Sequence, residues 1–176
     1  GFTRLLSKMK GNDFVVISAY RAKYDKRENI KRNRKLRGDF NDRKMGVYQL
    51  VGHWRECELE GVEYEDCPEE HLIDTIERSY LAVRPSSMPV DEFKELVRKL
   101  TKKYNQDASV LSLDGDLYII TPSGNLTKIG DSINLYKISQ AYSQHVKKMK
   151  IPFTFEGVEV PGSNSGRRVF KMNNLL

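Results

Sequence analysis

Strand-like and helix-like segments alternate along residues 13–130, and their order limits the folds that the chain can adopt. The β-branched run "DFVVISAYR" (13–21) is typical of a central strand, and residues 45–54 and 76–85 have the same character. The segment 108–130 predicts three strands separated by turns at Asp114-Gly115 and Ser123-Gly124.

Helices are predicted between these strands. After Ser86, apolar residues recur at the spacing of one helical face: Phe93, Leu96, Val97, Leu100 and Tyr104. Within 23–44 the corresponding stripe is narrower: Ile30, Asn33, Leu36 or Arg37, and Phe40. We expect Gly38 to end or fray this first helix, because glycine favours helix termini.

The order β-α-β followed by β-α-β predicts an α+β fold, namely a ferredoxin-like sandwich. Its antiparallel sheet would carry both helices on one face, leaving the other face free for self-association. We divide the chain into an N-terminal arm (1–12), this domain (13–130) and a C-terminal extension (131–176). In the extension we expect a helix at 134–150 and a late strand pair around "PGSNSG".

Charge is segregated along the chain, whose formal net charge is +6. Residues 26–44 hold nine Lys or Arg against three acids, whereas 56–77 hold ten carboxylates and no Lys or Arg. A charge run is usually a solvated helix face. The basic segment has no interleaved aromatic residues for base stacking, so a nucleic-acid partner is an alternative that is not favoured.

The cysteines and histidines do not form a metal-binding pattern. Cys57 and Cys67 are ten residues apart, which matches no zinc motif, and His53, His71 and His145 are scattered. We expect no metal, and two free thiols in a reducing cytoplasm. No apolar run is long enough for a membrane span, and the N-terminus is not expected to be a secretion signal.

Five short motifs resemble those of one family. "VISAYR", the helix residues Asn29, Arg32, Arg34 and Leu36, "GHWRE" (52–56), "ERS" (77–79) and "QD" (106–107) follow in order. The set, over residues 14–130, is similar to the phage S-adenosylmethionine lyases of T7-like phages, long called hydrolases. The resemblance implies a PII-like trimer that binds S-adenosylmethionine in clefts between subunits.

The same resemblance implies the reaction. Such lyases split S-adenosylmethionine into methylthioadenosine and homoserine lactone without water, metal or cofactor. In the host cytoplasm, the phage thereby deprives methylation-dependent restriction and related defences of their methyl donor. The substrate's carboxylate attacks its own γ-carbon, so charge is cancelled as the transition state forms, and a dry pocket should accelerate this step.

Candidate site residues follow from the matching positions. The resemblance implies Glu77 as the key acid and Trp54 as an aromatic wall, where the family carries tyrosine; tryptophan has no hydroxyl. Its other implied ligand-binding positions are Ser18, Ala19, Tyr20, Arg21, Glu56, Ser79, Gln106 and Asp107. Simpler interpretations are a solvated Glu77, a core or interface Trp54, strand-end packing at 18–21, and a turn and cap at 106–107.

Two other functions stay open from the sequence. A non-catalytic trimer that binds a nucleotide or another adenine ligand would use the same clefts. A binder of nucleic acid or of a host protein would use the basic segment 26–44. In a trimer, that segment could instead meet the acidic stretch of a neighbouring subunit.

Overall fold

In a computed structural model, the described residues are 8–21, 23–130, 154–160 and 168–171. The helices within 23–130 are α1 (Lys26–Asn41) and α2 (Val90–Lys103). The strands are β1 (Phe14–Ile17), β2 (Gly46–Cys57), β3 (Leu72–Val83), β4 (Ser109–Leu113), β5 (Asp116–Ile120), β6 (Leu126–Gly130), β7 (Thr154–Val160) and β8 (Arg168–Lys171).

The strands form one antiparallel sheet in the order β6-β5-β4-β1-β3-β2-β7-β8. Its centre, β4-β1-β3-β2, is connected as β1-α1-β2-β3-α2-β4. This connectivity is that of the ferredoxin-like fold, so the predicted fold class is confirmed. The predicted late strand pair is also present, as β7 and β8, while the helix expected at 134–150 lies outside the described residues.

The main core lies between the helices and one face of the sheet. Every residue of the predicted α2 stripe is buried there, against alternate residues of β1, β3 and β4 such as Val15, Ala82 and Leu111. Acidic residues in the first turn of α2 and lysines in its last turn complement the helix dipole. Local charge and the spacing of apolar residues therefore favour the same helix.

The first helix does not end at Gly38, contrary to the sequence expectation. It begins at the cap Asp25, whose side chain accepts a hydrogen bond from Glu28 N at 2.8 Å, and continues to Asn41. Phe40 is fully buried, and the chain then turns at Lys44 with φ of 56°. Burying Phe40 thus outweighs the cost of a glycine inside the helix, which is about 1 kcal/mol.

The sheet face opposite the helices is not free, which corrects the expectation of an open face. Phe14, Val16, Leu81 and Val110 point away from the helix-side core and are fully buried. Among the described residues, the central strands are therefore buried on both faces. Self-association cannot be argued from an uncovered apolar face.

The β2 and β3 strands are longer than predicted. They pair without interruption from Gly46 with Val83 to Cys57 with Leu72, which makes one long hairpin. Two short 3-10 turns, Tyr64–Asp66 and Glu69–His71, fill its tip. Only the central part of the acidic stretch is loop, because the residues at its two ends, 56–57 and 72–77, belong to the paired strands.

The two cysteines form a disulfide, so the prediction of free thiols is wrong. The 3-10 turns bring Cys67 back to the end of β2, where its Cα lies 5.8 Å from that of Cys57. That separation is within the range of ordinary disulfides. The spacing of two cysteines along a sequence does not show how the loop between them folds back.

Candidate active site

The candidate site lies where β1 stops and β3 continues. The last paired residue of β1 is Ile17, opposite Tyr80, whereas β3 extends a further eight residues back to Leu72. The segment 18–21, which follows β1, therefore leaves the sheet beside Glu77 and Ser79. The fold brings Ser18, Ser79 and Glu77 into one neighbourhood from two distant parts of the sequence.

Glu77 is the most unusual residue of this neighbourhood. Its relative exposure is only 2%, while the preceding Ile76 is 55% exposed. The strand thus buries an acid and exposes an isoleucine, the reverse of the usual partition. Glu77 faces Gly52 across the β2–β3 ladder, and glycine places no side chain opposite the carboxylate. Burying a carboxylate is costly unless it is paired, so Glu77 is the first candidate for the acid of this site.

Ser18 connects the segment 18–21 to the strand that carries Glu77. Its hydroxyl donates to the backbone oxygen of Arg78 at 2.9 Å and accepts from Tyr20 N at 3.1 Å. Ser18 and Ser79 are both fully buried, or nearly so. The hydroxyl of Ser18 therefore fixes the end of β1 against the residue that follows Glu77.

Side chains of α1 hold the backbone of the same segment. Asn33 Oδ1 accepts from Ala19 N at 2.9 Å, and Arg32 Nε donates to Ala19 O at 2.9 Å. One turn earlier, Asn29 accepts from Arg21 N at 2.9 Å and donates to Arg21 O at 3.0 Å. These backbone groups are satisfied within the chain, so a ligand would be contacted here mainly by side chains.

Gln106 and Arg21 close the other end of this segment. Gln106 is buried, and its Nε2 donates to Tyr20 O at 3.3 Å and to Tyr104 O at 3.0 Å. Arg21 Nη1 donates to the backbone oxygen of Asn105. Asp107, the next predicted site residue, is exposed. Of the helix and loop residues of the resembling motifs, Asn29, Arg32 and Gln106 thus contact the backbone of 18–21.

The sequence analysis gave no role to two residues that contact this segment. Asn33 was interpreted only as part of the α1 stripe. Arg32 matched a position of the family's helix motif, but no role was inferred for it. Arg32 also donates to Tyr104 O at 2.7 Å, and its guanidinium lies 4.6 Å from the Tyr24 ring centroid. An asparagine at a buried helix position was the available signal, because asparagine is a poor helix former.

Trp54 and Glu56 lie further along the hairpin. In the β2–β3 ladder Trp54 pairs with Thr75, and Glu56 pairs with Ile73. Their side chains lie outside the described part of the chain. The backbone places both residues on the same long hairpin as Glu77, beyond its partner Gly52.

The tip of this hairpin is strongly acidic. Its exposed carboxylates are Glu58, Glu60, Glu63, Glu65, Asp66, Glu69 and Glu70. Glu58 Oε1 lies 2.6 Å from His71 Nδ1, and the disulfide fastens the tip to β2. The acidic tip (residues 58–70) therefore presents a negative surface at the far end of the hairpin that carries Glu77, and such a surface would attract cationic ligands.

Among the described residues, no group of three or more His, Cys, Asp or Glu side chains is placed to hold a metal ion. No helix in the described part of the chain is long and apolar enough to cross a bilayer.

Tyr104 connects this site to the outer surface of α1. Its hydroxyl donates to Asp39 Oδ2 at 2.5 Å, and Lys103 Nζ lies 2.9 Å from the same oxygen. Burial, and then the hydrogen bond and charge of Asp39, raise the pKa of Tyr104 above its ordinary value, while Arg32 opposes this shift. The phenol therefore stays protonated in the folded protein at pH values where it ionises in the unfolded chain.

We expect Tyr104→Phe to make the protein less sensitive to alkali. Stability contributed by the protonated phenol is complete below the unfolded pKa of about 10 and is lost as the pH rises above it. Urea unfolding measures the free energy of unfolding at each pH. Between pH 10 and pH 12 this free energy should fall with pH more steeply for the wild type than for the variant, by up to about 1.4 kcal/mol per pH unit. Equal slopes for the two proteins would contradict the raised pKa.

The fold and site together define a ferredoxin-like α+β domain with a buried acid beside the end of a central strand. The model of the S-adenosylmethionine lyase family matches residues 15–155, which run from the second residue of β1 to the second residue of β7. The chain therefore belongs to the S-adenosylmethionine lyase family, a family of enzymes. Among curated proteins, no significant match to the sequence was found.

Proposed function

We propose that this chain cleaves S-adenosylmethionine into methylthioadenosine and homoserine lactone. The supporting observation is Glu77, an acid buried to 2% exposure beside the end of β1 in a member of the lyase family. Glu77 is the key acid of the proposal. Trp54, Glu56, Ser18, Tyr20 and Ser79 surround the ligand.

The proposed step is an intramolecular displacement. A carboxylate oxygen of the substrate attacks its own γ-carbon, and the bond from that carbon to the sulfonium sulfur breaks. The bonding pair stays on sulfur, which leaves as the neutral thioether of methylthioadenosine, while the amino acid part closes to the lactone. No proton is transferred, so the protein needs neither a nucleophile nor a general base.

The residues of the site act by holding and enclosing the substrate. Glu77 would hold the ammonium or the sulfonium group, and the tryptophan would form an aromatic wall. Exclusion of water favours the step because the separated charges of the substrate, which water stabilises, disappear in the transition state. Gln106 donates its hydrogen bonds to the backbone oxygens of Tyr20 and Tyr104, so its proposed role is to hold Tyr20 in place. Asp107 would lie at the rim of the site.

Product analysis of the purified protein tests this function directly. Incubation with S-adenosylmethionine should release methylthioadenosine and homoserine lactone in equal amounts, including in the presence of a metal chelator. Homoserine in place of the lactone, at the earliest times, would show attack by water and contradict the intramolecular step. No methylthioadenosine at all would contradict the lyase activity.

We further propose that the site is completed by neighbouring copies in a homotrimer. The exposed basic residues of α1, which include Lys26, Lys31 and Arg34, are complementary to the acidic tip of another copy. Light scattering should therefore give a trimer at about 0.05 M salt and smaller species near 1 M, because salt screens exposed charges. A mass that is monomeric in low salt would contradict this assembly.

The biological role that we propose is defence of a phage in the host cytoplasm. Depletion of S-adenosylmethionine would weaken restriction and other defences that depend on methylation. Cells that produce the wild-type chain should contain less S-adenosylmethionine and should restrict an unmodified phage less efficiently. Cells that produce Glu77→Gln should behave like cells without the protein.

Trp54 favours a second candidate, a trimer that binds an adenine ligand without turnover. It stands where the resembling lyases carry tyrosine, and tryptophan cannot supply a hydroxyl. Calorimetry would then show binding of S-adenosylmethionine or an adenine nucleotide while product analysis shows no cleavage. Affinity for nucleic acid that falls steeply with salt would instead support binding through α1.

A further inference from the structure

The side chain of Asn33 joins the two strands at the candidate site. The β1–β3 register pairs Val16 with Leu81 and Ile17 with Tyr80, so its continuation would place Ala19 opposite Arg78. Instead of a direct bond between these two residues, the Asn33 amide lies between them. Its Oδ1 accepts from Ala19 N at 2.9 Å, and its Nδ2 donates to Arg78 O at 2.9 Å.

The inserted amide separates the two strands at a defined distance. In a regular antiparallel ladder, one hydrogen bond joins the backbones of two neighbouring strands. Here the backbones of Ala19 and Arg78 are joined by two hydrogen bonds with the Asn33 amide between them. Arg78 O also accepts from Ser18 Oγ, so both lone pairs of this carbonyl are used. The position of the residue next to Glu77 is therefore fixed relative to the end of β1.

The setting of Asn33 shows that this bridge is built into the core. Asn33 is 3% exposed in the middle of α1, where an apolar side chain would give a more favourable helix and core. Asn29, four residues earlier, bonds to Arg21 N and O and donates to Tyr24 O at 3.2 Å, but it makes no bond to β3. Of these two asparagines, Asn33 alone connects helix, segment 18–21 and the strand of Glu77.

We infer that Asn33 is a positioning residue for S-adenosylmethionine cleavage: its amide opens the space between β1 and β3 and sets Glu77 against the segment 18–21. The inference rests on the proposed function. Asn33 does not contact the substrate and acts through Glu77. Misplacement of a catalytic group by about 1 Å can lower a rate by about 100-fold.

Kinetics of matched variants test this inference. Asn33→Ala should lower kcat by about 10- to 100-fold with a smaller change in KM, because the acid is misplaced in the transition state. Thr101→Ala, on α2, removes buried hydrogen bonds away from the site, to Val97 O and Ser109 Oγ, and should lower kcat by less than about 3-fold, since it leaves the strand of Glu77 in place. Equal losses in the two variants would overturn the positioning role.

A double-mutant cycle with Glu77→Gln distinguishes positioning from a general loss of structure. If Asn33 acts through Glu77, Asn33→Ala should cost much less in the Glu77→Gln background than in the wild type. If the fold-losses in kcat of the two substitutions simply multiply in the double variant, the inference is overturned. Absence of product from the wild-type protein would instead overturn the proposed function, and with it this inference.

Asn33→Asp provides a test if the alanine variant does not fold. Aspartate keeps the acceptor for Ala19 N and regains a donor for Arg78 O only when it is protonated. Its kcat relative to the wild type at the same pH should therefore rise as the pH is lowered from about 8 to about 5. A ratio that does not change with pH would overturn the assignment.

Discussion

Replacing Glu77 with glutamine is expected to lower kcat for S-adenosylmethionine cleavage by about 100- to 1,000-fold, the usual cost of removing one electrostatic contact to a transition state. The substitution keeps the size of the side chain and removes its negative charge. Because the position is 2% exposed, water cannot take over the stabilisation of the substrate's cationic group that the carboxylate provided. Timed measurement of methylthioadenosine release by both proteins provides the comparison.

Glu95→Gln is the matched control for this prediction. Glu95 lies on the exposed side of α2 and pairs with Arg98, whose hydrogen bond lowers the pKa of that carboxylate. The same chemical change there should leave kcat unaltered. Equal turnover by Glu77→Gln and the wild type would remove Glu77 from the site. Equal losses in both variants would show that the effect is not specific to Glu77.

Phe40→Ala is expected to lower the free energy of unfolding by about 3–5 kcal/mol, the range for truncating a buried phenylalanine. Phe40 is fully buried in the core between α1 and the sheet. Its backbone oxygen also accepts from Met45 N at 3.2 Å, which holds the turn into β2. Urea denaturation of the variant and the wild type measures the difference.

Ile30→Ala on the same helix is the control for Phe40→Ala. Ile30 was also predicted on the buried face of α1, but it is only half-buried in the structure. Its truncation should cost about 1 kcal/mol, because less apolar surface leaves contact with the core. A loss at Phe40 no larger than that at Ile30 would mean that the helix ends near Gly38, as the sequence suggested.

The order of helices and strands could be predicted because it depends on local periodicity. The α2 stripe from Phe93 to Tyr104 repeats with the helical period, and "DFVVISAYR" is rich in residues that favour strands. Turns at Asp114 and Gly115 were predictable for a similar reason, since both residues adopt positive φ there. These features need only neighbouring residues, which the sequence shows directly.

The candidate site was predictable only in part. The resemblance selected Glu77 and Ser18, and the fold places them in one neighbourhood. It did not reveal that Asn33 joins their neighbours Ala19 and Arg78, because a helical stripe does not distinguish a packed residue from one that bridges two strands. Motif spacing identifies positions, whereas hydrogen-bond partners depend on how distant segments meet.

The sequence by itself determined the element order, the charge segregation and the ferredoxin-like class of this protein. Only the tertiary structure decided that Glu77 is buried while Ile76 is exposed, that Cys57 and Cys67 pair, and that both faces of the central sheet are buried. Periodicity is a property of adjacent residues, so a sequence displays it. Burial and pairing are properties of contacts between segments far apart in the chain, and these exist only once the chain has folded.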